Sequence, residues 1–305
     1  MQDSTGIKRY RINYYNIILN IMNMKKTSLL FLSTALAIAT VSCDKLNEPF
    51  IIEPIVATAD TIPMTADDTI NFDGKVVVLL EDYTGVKCNN CPKAAVIANE
   101  LQEQNEGHLI VLGVHPKNPL QHPGGGFPDF RTDDGHAWNE NFGIGSYPNG
   151  MVNRKNVIGH AEWATAVNNE LGKDAPARVV IKSNYNDETR ELELSIHTVF
   201  LKDVEGKINL TTCIMEDSII GKQKTGTGIV TNYMHRHVFR GTADGITWGR
   251  TLDNTATTIS KDRRFVTNMK FNVNEDFNAD ELYIIALITN DDTKEVLMAS
   301  ETKIK

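Results

Sequence analysis

Apolar and polar positions follow two different patterns along the chain, and the pattern changes near residue 173. Before that point, two continuous apolar runs followed by turn residues predict strands buried on both faces, with a helical pattern between them. The predicted elements of residues 75–172 are a strand at 75–81, a helix at 91–104, a strand at 108–114, a helix at 133–142, a hairpin of 151–154 with 157–160, and a helix at 161–171. This order, β-α-β-α-β-β-α, predicts an α/β domain.

Residues 175–305 carry short segments rich in β-branched residues, in which apolar and polar positions alternate. The segments lie at 177–185, 191–200, 207–216, 265–273, 282–289 and 296–304. Several short strands separated by turns predict an antiparallel, all-β sandwich domain of immunoglobulin-like type. The boundary between the two domains is predicted at 172–176, and the long connection at 221–260 receives no predicted strand or helix.

The first 42 residues predict a signal peptide and not a part of the fold. Basic residues precede an apolar run at 29–42 that is too short to span a bilayer and ends with a small residue before Cys43. A translation start at Met24, which two lysines follow, would give a compact signal peptide. On that alternative, residues 1–23 are a mis-assigned extension.

Cys43 follows Thr-Val-Ser, a loose form of the motif at which bacterial lipoproteins are acylated. We expect lipidation of Cys43 to anchor the mature chain to a membrane by lipid alone, with residues 43–74 as a tether. The alternative is an ordinary signal peptide in which Cys43 has no special role. On both alternatives the chain is exported, to a setting that permits disulfides.

The charge of the chain argues against nucleic acid as a partner. The formal net charge is −8, and the predicted domains contain no basic stripe. The glycine run at 124–126 is not a phosphate-binding loop, because no Gly-Lys-Ser/Thr follows it. We therefore predict no cofactor.

A Cys-x-x-Cys sequence, Cys88 to Cys91, lies where the first predicted strand gives way to the first helix. The two asparagines between the cysteines are suitable helix caps, and the following proline suits a first helical turn. The partial positive charge of the helix N-terminus, with Lys87 beside it, favours a thiolate at Cys88. The two intervening residues let Cys91 reach back and resolve a mixed disulfide. The pattern predicts a dithiol redox site.

A metal site is the alternative interpretation of the cysteines. Cys-x-x-Cys is half of a zinc site, but the sequence has no second pair, and Cys213 lies in the other predicted domain. His235 and His237 share one face if they lie on a strand, yet such a pair is incomplete as a metal site. We therefore predict no metal site, and we expect Cys213 to be a buried free thiol.

The order of elements, with Cys-x-x-Cys after the first strand, resembles the minimal thioredoxin fold. In that fold a buried acid relays protons at the place where this chain has Asp82, six residues before Cys88. Pro148, immediately before the third strand, matches the cis-proline that packs beside the dithiol and orients an incoming chain; the alternative is a trans proline in a loop. The sequence departs from thioredoxins at Lys87, where they carry a tryptophan that contacts substrate, and this argues against a general reductase.

Four stretches of the sequence carry a more specific resemblance. In chain order they are LLEDYTGVKCNNCPKAA, GIGSYPNGMVNR, NYMHRHVFRG and ELYIIALITNDDTKEVLMA. Together with the lipoprotein signal they resemble the outer-membrane protein 28 family of Gram-negative lipoproteins over nearly the whole mature chain. The resemblance implies a thioredoxin-like domain joined to a C-terminal β-rich domain, and a lipid-anchored location at the outer membrane, periplasmic or surface-exposed. It does not imply an activity.

Two functions remain open from the sequence. In the first, the protein is a thiol–disulfide oxidoreductase that acts on protein or peptide thiols and disulfides. Cys88 attacks as a thiolate and Cys91 resolves, while Asp82 relays the proton and Pro148 docks the substrate backbone. In the second, it is a lipid-anchored binding or assembly protein in which the same cysteines form a structural disulfide. A fold resemblance does not decide between them, and the sequence does not define an oligomeric state.

Overall fold

The computed structural model of the chain describes residues 72–118, 120 and 124–305. The predicted signal peptide, the lipidation site Cys43 and the tether up to residue 71 lie outside the described residues. Within the described part, no helix is both long enough and apolar enough to cross a membrane. The sequence-based expectations for residues 1–71 therefore stay predictions.

The first segment forms its strands and helices in the predicted order. They are β1 (Val78–Tyr83), α1 (Cys91–Gln104), β2 (Leu109–Val114), α2 (Asp133–Asn141), β3 (Asn149–Val152), β4 (Val157–Ile158), a 3₁₀ turn (His160–Glu162) and α3 (Trp163–Glu170). β1 and β2 are buried along their whole length, as their continuous apolar runs require. The Thr132 side chain caps α2 by accepting a 3.0 Å hydrogen bond from the Gly135 N–H.

The second segment is rich in β-strands, as predicted. Its strands are β5 (Ala177–Tyr185), β6 (Glu191–Phe200), β7 (Val204–Glu205), β8 (Ile208–Glu216), β9 (Ile219–Thr225), β10 (Gly228–His235), β11 (Val238–Thr242), β12 (Arg250–Thr251), β13 (Thr258–Ile259), β14 (Arg264–Asn272), β15 (Leu282–Asn290) and β16 (Val296–Lys303). The strands between β8 and β14 were missed in the sequence. β10 is exposed along most of its length, so it lacks the alternation that reveals a strand.

One large sheet joins the two segments. Its strand order is β16-β15-β8-β11-β2-β1-β3-β4, with β12 also paired to β8. β1 and β2 are parallel, whereas β3 and β4 are antiparallel to their neighbours. At the junction β11 runs parallel to β2, and the Gly113 N–H donates a 2.7 Å hydrogen bond to the His237 carbonyl oxygen. The segments are therefore bonded through their backbones.

A smaller sheet, β14-β6-β5, packs against part of the large sheet. Apolar side chains of both layers share clusters; for example, Ile196 and Phe265 of the small sheet lie with Ile288 of β15. The β-rich character of residues 175–305 is thus confirmed. The large sheet is not confined to those residues, because it continues through β11 into the strands of the first segment. The described residues therefore belong to one compact unit.

The large sheet curls so that its ends approach each other. The Val296 N–H of β16 donates a 3.0 Å hydrogen bond to the carbonyl oxygen of Asn153, which follows β3. One face of the sheet then encloses apolar side chains from β1, β2, β8, β15 and β16, together with Trp138 of α2. The Arg154 guanidinium stands 4.3 Å from the centre of the Trp138 ring. A charged group is therefore part of this interior.

Candidate functional site

Cys88 and Cys91 form a disulfide where the loop after β1 enters α1, with their Cα atoms 5.5 Å apart. The loop turns here because the Cys88 N–H donates a 3.0 Å hydrogen bond to the Gly85 carbonyl oxygen. Cys91 is the first residue of the helix and Pro92 lies in its first turn, where a missing N–H costs no helical hydrogen bond. The structure thus places both cysteines at the helix N-terminus, as the sequence indicated.

Sulfur, and not an asparagine side chain, caps this helix. The Cys91 N–H donates a 3.2 Å hydrogen bond to Sγ of Cys88. Asn90 is the N-cap residue, but its side chain makes no cap hydrogen bond, and Asn89 is exposed like it. Asn90 holds the predicted N-cap position, but not through its side chain, because Pro92 has no N–H and the Lys93 N–H donates a 3.1 Å hydrogen bond to the Asn90 carbonyl oxygen. In the reduced protein the same geometry places a Cys88 thiolate at the positive end of the helix dipole.

Both cysteines are buried in the disulfide form. Cys88 is 4% exposed and Cys91 is 2% exposed, so solvent access does not distinguish the two sulfurs. Nζ of Lys87 lies 5.3 Å from the centre of the Phe127 ring, in a cation–π contact. The predicted attacking role of Cys88 is therefore supported by its position at the helix N-terminus and not by exposure.

The loop before β3 lies beside the disulfide. Its Tyr147–Pro148 peptide bond is cis, as predicted for Pro148. The Tyr147 carbonyl oxygen lies 3.7 Å from Sγ of Cys88. Gly150, two residues after Pro148, pairs with Asp82 of β1. The pairing of β3 with β1 therefore brings the proline loop and Asp82 to the same part of the sheet.

Asp82 is buried near the end of β1. It is 4% exposed, and its Oδ1 has no hydrogen-bond partner among the described residues. Burial raises the pKa of Asp82 from the ordinary 3.8 to about 8. Asp82 and Cys91 line the same cavity of about 40 Å³, which is partly open to the surface. A carboxyl group with this pKa can accept and donate a proton near neutral pH, and Asp82 shares its cavity with Cys91.

A buried ion pair fastens the chain segments that carry Asp82 and Pro148. Glu81 accepts hydrogen bonds from Nη2 and Nε of Arg154 at 2.7 and 3.0 Å. The two side chains are 0% and 1% exposed. Burial disfavours the charged guanidinium, but the adjacent carboxylate outweighs it and leaves the pKa of Arg154 raised. The pair therefore ties β1 to the residues that follow β3.

The hairpin of β9 and β10 brings the second segment to the dithiol loop. The Lys224 N–H donates a 2.8 Å hydrogen bond to the Val86 carbonyl oxygen. The buried Gln223 amide donates to the carbonyl oxygens of Gly85 at 3.1 Å and Cys88 at 3.2 Å. These bonds hold the loop that carries the first cysteine. Sequence reasoning missed Gln223, since no local signal marks a contact across 135 residues.

Three histidines line the cavity that Asp82 and Cys91 share: His115, His235 and His237. Burial lowers the pKa of each, to about 3 for His115 and to about 4 for the other two, so all are neutral at pH 7. The sequence drew attention to two of them, but as an incomplete metal pair and not as neighbours of the dithiol.

The described ranges contain no group of three or more histidine, cysteine or acidic side chains that could hold a metal ion. His237 instead uses Nε2 to contact Oδ1 of Asn99 on α1, at 3.0 Å. Cys213 is buried and free, as expected, and burial raises the pKa of its thiol.

Comparison with known proteins identifies a family that the chain matches. Residues 135–305, more than half of the chain, match the family described as Outer membrane protein Omp28. The match includes Pro148, His235 and His237 but begins after Cys88 and Cys91. It is therefore narrower than the resemblance over nearly the whole mature chain. No curated protein matches the sequence.

Comparison with solved structures identifies proteins of similar fold. HBP35 of Porphyromonas gingivalis is similar with a TM-score of 0.60 and 17% identity, over 75% of this chain and 76% of that one. At this identity the likeness concerns the fold alone. A domain of the outer membrane lipoprotein Omp28 from Porphyromonas gingivalis is 21% identical over 43% of this chain and 89% of that one, with a TM-score of 0.29.

Proposed function

Because the chain belongs to the Omp28 family of outer membrane proteins, we propose that it is a lipid-anchored protein of the outer membrane that exchanges disulfides with the cysteines of other polypeptides. Cys88 and Cys91 are its reacting groups, Asp82 moves the proton of Cys91, and Pro148 presents its loop to the substrate. The single observation that carries the proposal is the hydrogen bond from the Cys91 N–H to Sγ of Cys88, because it holds the attacking sulfur at a helix N-terminus.

The fold of residues 75–172 that we propose is thioredoxin-like. The strand order β2-β1-β3-β4, with β1 and β2 parallel and the other pairs antiparallel, supports it, as does the placement of α1 directly after the dithiol loop. For residues 175–305 we propose an immunoglobulin-like arrangement of strands. The face-to-face packing of the β14-β6-β5 sheet on part of the large sheet supports that assignment.

The chemistry begins with the reduced dithiol and a substrate disulfide. The Cys88 thiolate attacks one substrate sulfur, a new bond to that sulfur forms, and the other sulfur leaves as a thiolate that takes a proton from water. Cys91 then gives its proton to the ionised form of Asp82, which is the minor form at pH 7 because the pKa of Asp82 is about 8, and attacks Sγ of Cys88, which releases the second substrate thiolate. The protein loses two electrons and the substrate gains them. Oxidation of a substrate dithiol is the same sequence in reverse.

The first test uses variants that separate the two sulfurs. Purified, reduced Cys91→Ser should accumulate a mixed disulfide with oxidised glutathione or with a disulfide-containing peptide, because nothing resolves it. Cys88→Ser should accumulate almost none, because the helix N-terminus donates its hydrogen bond to Sγ of Cys88 and Cys91 lies inside the first helical turn. Mass spectrometry of acid-quenched samples reads the adduct directly.

Alkylation supplies the control for that test. Iodoacetamide near neutral pH should modify Cys88 of the reduced wild-type protein much faster than Cys91, while Cys213 stays unmodified because it is buried with a raised thiol pKa. Equal and slow modification of Cys88 and Cys91, with no adduct in either variant, would contradict the oxidoreductase proposal.

A second candidate function has one observation in its favour. Because Cys88 and Cys91 are only 4% and 2% exposed, the disulfide can also be a structural cross-link that no partner protein contacts. The protein would then be a lipid-anchored binding or assembly protein whose β-rich segment provides the contact surface. The reduction potential of the disulfide separates this candidate from the first.

The lipid anchor is proposed at Cys43, from the basic residues and the short apolar run that precede it. Cys43→Ser should leave unprocessed precursor and should abolish incorporation of a radiolabelled fatty acid. The variant Cys213→Ser is the matched control and should be labelled like the wild type. Incorporation that survives in Cys43→Ser would rule out this anchor.

A further inference from the structure

The large exposed apolar side chains of the protein are concentrated in the hairpin of β9 and β10. Ile220, Ile229, Val230 and Met234 are between 42% and 58% exposed. In the rest of the described ranges, only two other large apolar side chains are exposed in this way. Single exposed apolar side chains are ordinary, whereas a cluster of them marks an interaction surface. The hairpin is therefore a candidate binding surface.

β10 has a free edge. It pairs with β9 and with no other described strand, so the backbone groups on its outer side have no strand partner. Proteins usually protect such an edge with lysines, prolines or bulges, or by covering it. Residues 228–235 contain no lysine and no proline, and their pairing with β9 is interrupted by one register shift, between Val230 and Tyr233. The edge is therefore open to an added strand, which is how several kinds of domain bind extended peptides.

The free edge lies close to the dithiol. Val230 of β10 pairs with Gln223 of β9, and directly opposite residues share a face of the hairpin. On that face the Gln223 amide donates its 3.2 Å hydrogen bond to the Cys88 carbonyl oxygen. Met234, further along β10, lines the cavity that Cys91 also lines. Since neighbouring strands are about 4.8 Å apart, a polypeptide paired with β10 would lie beside the dithiol loop.

The dithiol loop and the hairpin differ in charge from the chain as a whole. The formal net charge of the chain is −8, yet residues 83–99 and 218–242 contain no aspartate and no glutamate. These two stretches carry six basic residues: Lys87, Lys93, Lys222, Lys224, Arg236 and Arg240. Both arginines pair with acidic residues that precede the hairpin, whereas none of the four lysines forms an ion pair in the part of the chain that the structure describes. An apolar surface with such lysines around it is complementary to a partner that is both apolar and acidic.

The free edge also distinguishes the kinds of partner that are apolar and acidic. An anionic membrane offers apolar and negative groups, but lipids have no backbone to pair with the N–H and C=O groups of a strand. A second copy of the chain has such a backbone, but it would bring like-charged hairpins together, which disfavours the contact. A separate polypeptide satisfies both requirements.

We propose that the free edge of β10 binds the substrate of the dithiol, and that this substrate is an extended polypeptide segment rich in apolar and acidic side chains. This inference rests on the proposed disulfide exchange and names its substrate class. The backbone of the segment pairs with β10, its apolar side chains contact Ile229 and Val230, and its carboxylates face the exposed Lys93 and Lys224. A disulfide a few residues beyond the paired stretch then reaches Cys88 and reacts as described above.

The test compares a peptide disulfide with a disulfide that has no backbone. The first probe is a peptide of alternating valine and glutamate with one cysteine, joined by its disulfide into a symmetric dimer, and the second is hydroxyethyl disulfide. Reduced Cys91→Ser protein traps each mixed disulfide, and mass spectrometry of acid-quenched samples gives the two rate constants. Adding Ile229→Ser and Val230→Ser should lower the ratio of the peptide rate constant to the hydroxyethyl disulfide rate constant about tenfold, because two apolar contacts with the peptide are lost.

A matched variant and two altered peptides isolate the roles of the edge and of the charge. Val157→Ser changes a valine that is 40% exposed on another strand, β4, and should leave the ratio unchanged. A peptide with N-methyl groups at alternate residues keeps its side chains but cannot pair as a strand, so it should react more slowly than the parent peptide. A peptide with glutamine in place of glutamate should also react more slowly at low salt, because it does not attract the lysines.

The outcomes separate this inference from the function on which it rests. If Cys91→Ser traps neither disulfide, the proposed disulfide exchange itself fails. If it traps both and the β10 substitutions leave the ratio unchanged, substrate binding by β10 is overturned while the exchange stands. If the β10 variant does not fold, an N-methylated peptide that reacts as fast as its parent overturns the inference in its place.

Two further measurements cover the other occupants. Vesicles of phosphatidylglycerol that slow the reaction of hydroxyethyl disulfide, and do so only when Ile229 and Val230 are present, would identify a lipid surface as the occupant. Light scattering that shows a dimer, which Ile229→Ser with Val230→Ser dissociates, would identify a second copy of the chain. Either result would overturn the inference.

Discussion

Arg154→Met should destabilise the protein by about 3–5 kcal/mol, the range found when one member of a buried ion pair is removed. The Glu81 carboxylate would lose bonds at 2.7 and 3.0 Å while its side chain stays 0% exposed. Burial of an unpaired carboxylate is costly, and a neighbouring Met offers it no hydrogen bond. Urea unfolding of the oxidised protein, followed by circular dichroism, measures the loss.

Two further variants show that the effect belongs to the pair. Adding Glu81→Leu to Arg154→Met should recover most of the stability, because it removes the stranded charge. Lys270→Met breaks an exposed pair with Glu191 and Glu193, in which the lysine side chain is 43% exposed, and should cost far less stability than Arg154→Met because solvent screens an exposed ion pair. If Arg154→Met costs no more than Lys270→Met, the ion pair does not fasten β1 to the end of β3.

Asp82→Asn, in contrast to Arg154→Met, should raise the free energy of unfolding at neutral pH. The pKa of Asp82 is about 8 in the folded protein against 3.8 ordinarily, so between these values the folded state holds a proton that the unfolded chain has released. The wild-type contribution of Asp82 is therefore full below pH 4 and is lost as the pH rises to 8. At about 1.4 kcal/mol per pH unit, the loss reaches about 4 kcal/mol by pH 7, and asparagine does not incur it.

The measurement is the free energy of unfolding of both proteins at several values between pH 5 and pH 8. The difference between Asp82→Asn and the wild type should grow with pH, whereas Glu188→Gln, at an exposed turn position, should follow the wild type. The same Asp82→Asn protein should resolve the glutathione mixed disulfide about a hundredfold more slowly at pH 7, because Cys91 has lost its proton acceptor. A variant that is neither more stable nor slower would mean that Asp82 is an ordinary ionised carboxylate.

Local signals in the sequence were sufficient for much of the first segment. The 91–104 helix follows from its proline in the first turn and its apolar spacing, and the structure has these bounds. Thr132 caps α2 because a hydroxyl at that position can accept the Gly135 N–H, which is again a local contact. The cis bond before Pro148 was expected from the resemblance to the thioredoxin fold, and it is present.

What the sequence did not reveal depends on contacts between distant residues. Gln223 reaches Cys88 across 135 residues, and His237 reaches Asn99 across 138. β10 is largely exposed, so no hydrophobic alternation predicted the hairpin that contains Gln223 and ends just before His237. Glu81 offered a weak signal: a charge that ends a buried apolar run needs a partner, but nothing local identified Arg154.

The pairing of strands between the two segments could not be predicted from the pattern of apolar and polar residues. The boundary at 172–176 follows from a real change in periodicity. The pairing of β11 with β2 cannot be read from either strand alone, because it depends on the close approach of the His237 carbonyl oxygen to the Gly113 N–H. The pairing places His237, which directly precedes β11, at the cavity that Asp82 and Cys91 line.

The reduction potential of the Cys88–Cys91 pair tests the central claim most directly. The purified protein is equilibrated in glutathione buffers of graded ratio, alkylated, and analysed by mass spectrometry for the fraction of the pair that is oxidised. A pair that exchanges disulfides should titrate between about −270 and −120 mV, the range of dithiol oxidoreductases. A potential below about −300 mV would identify a structural disulfide that glutathione does not reduce, and would contradict the account.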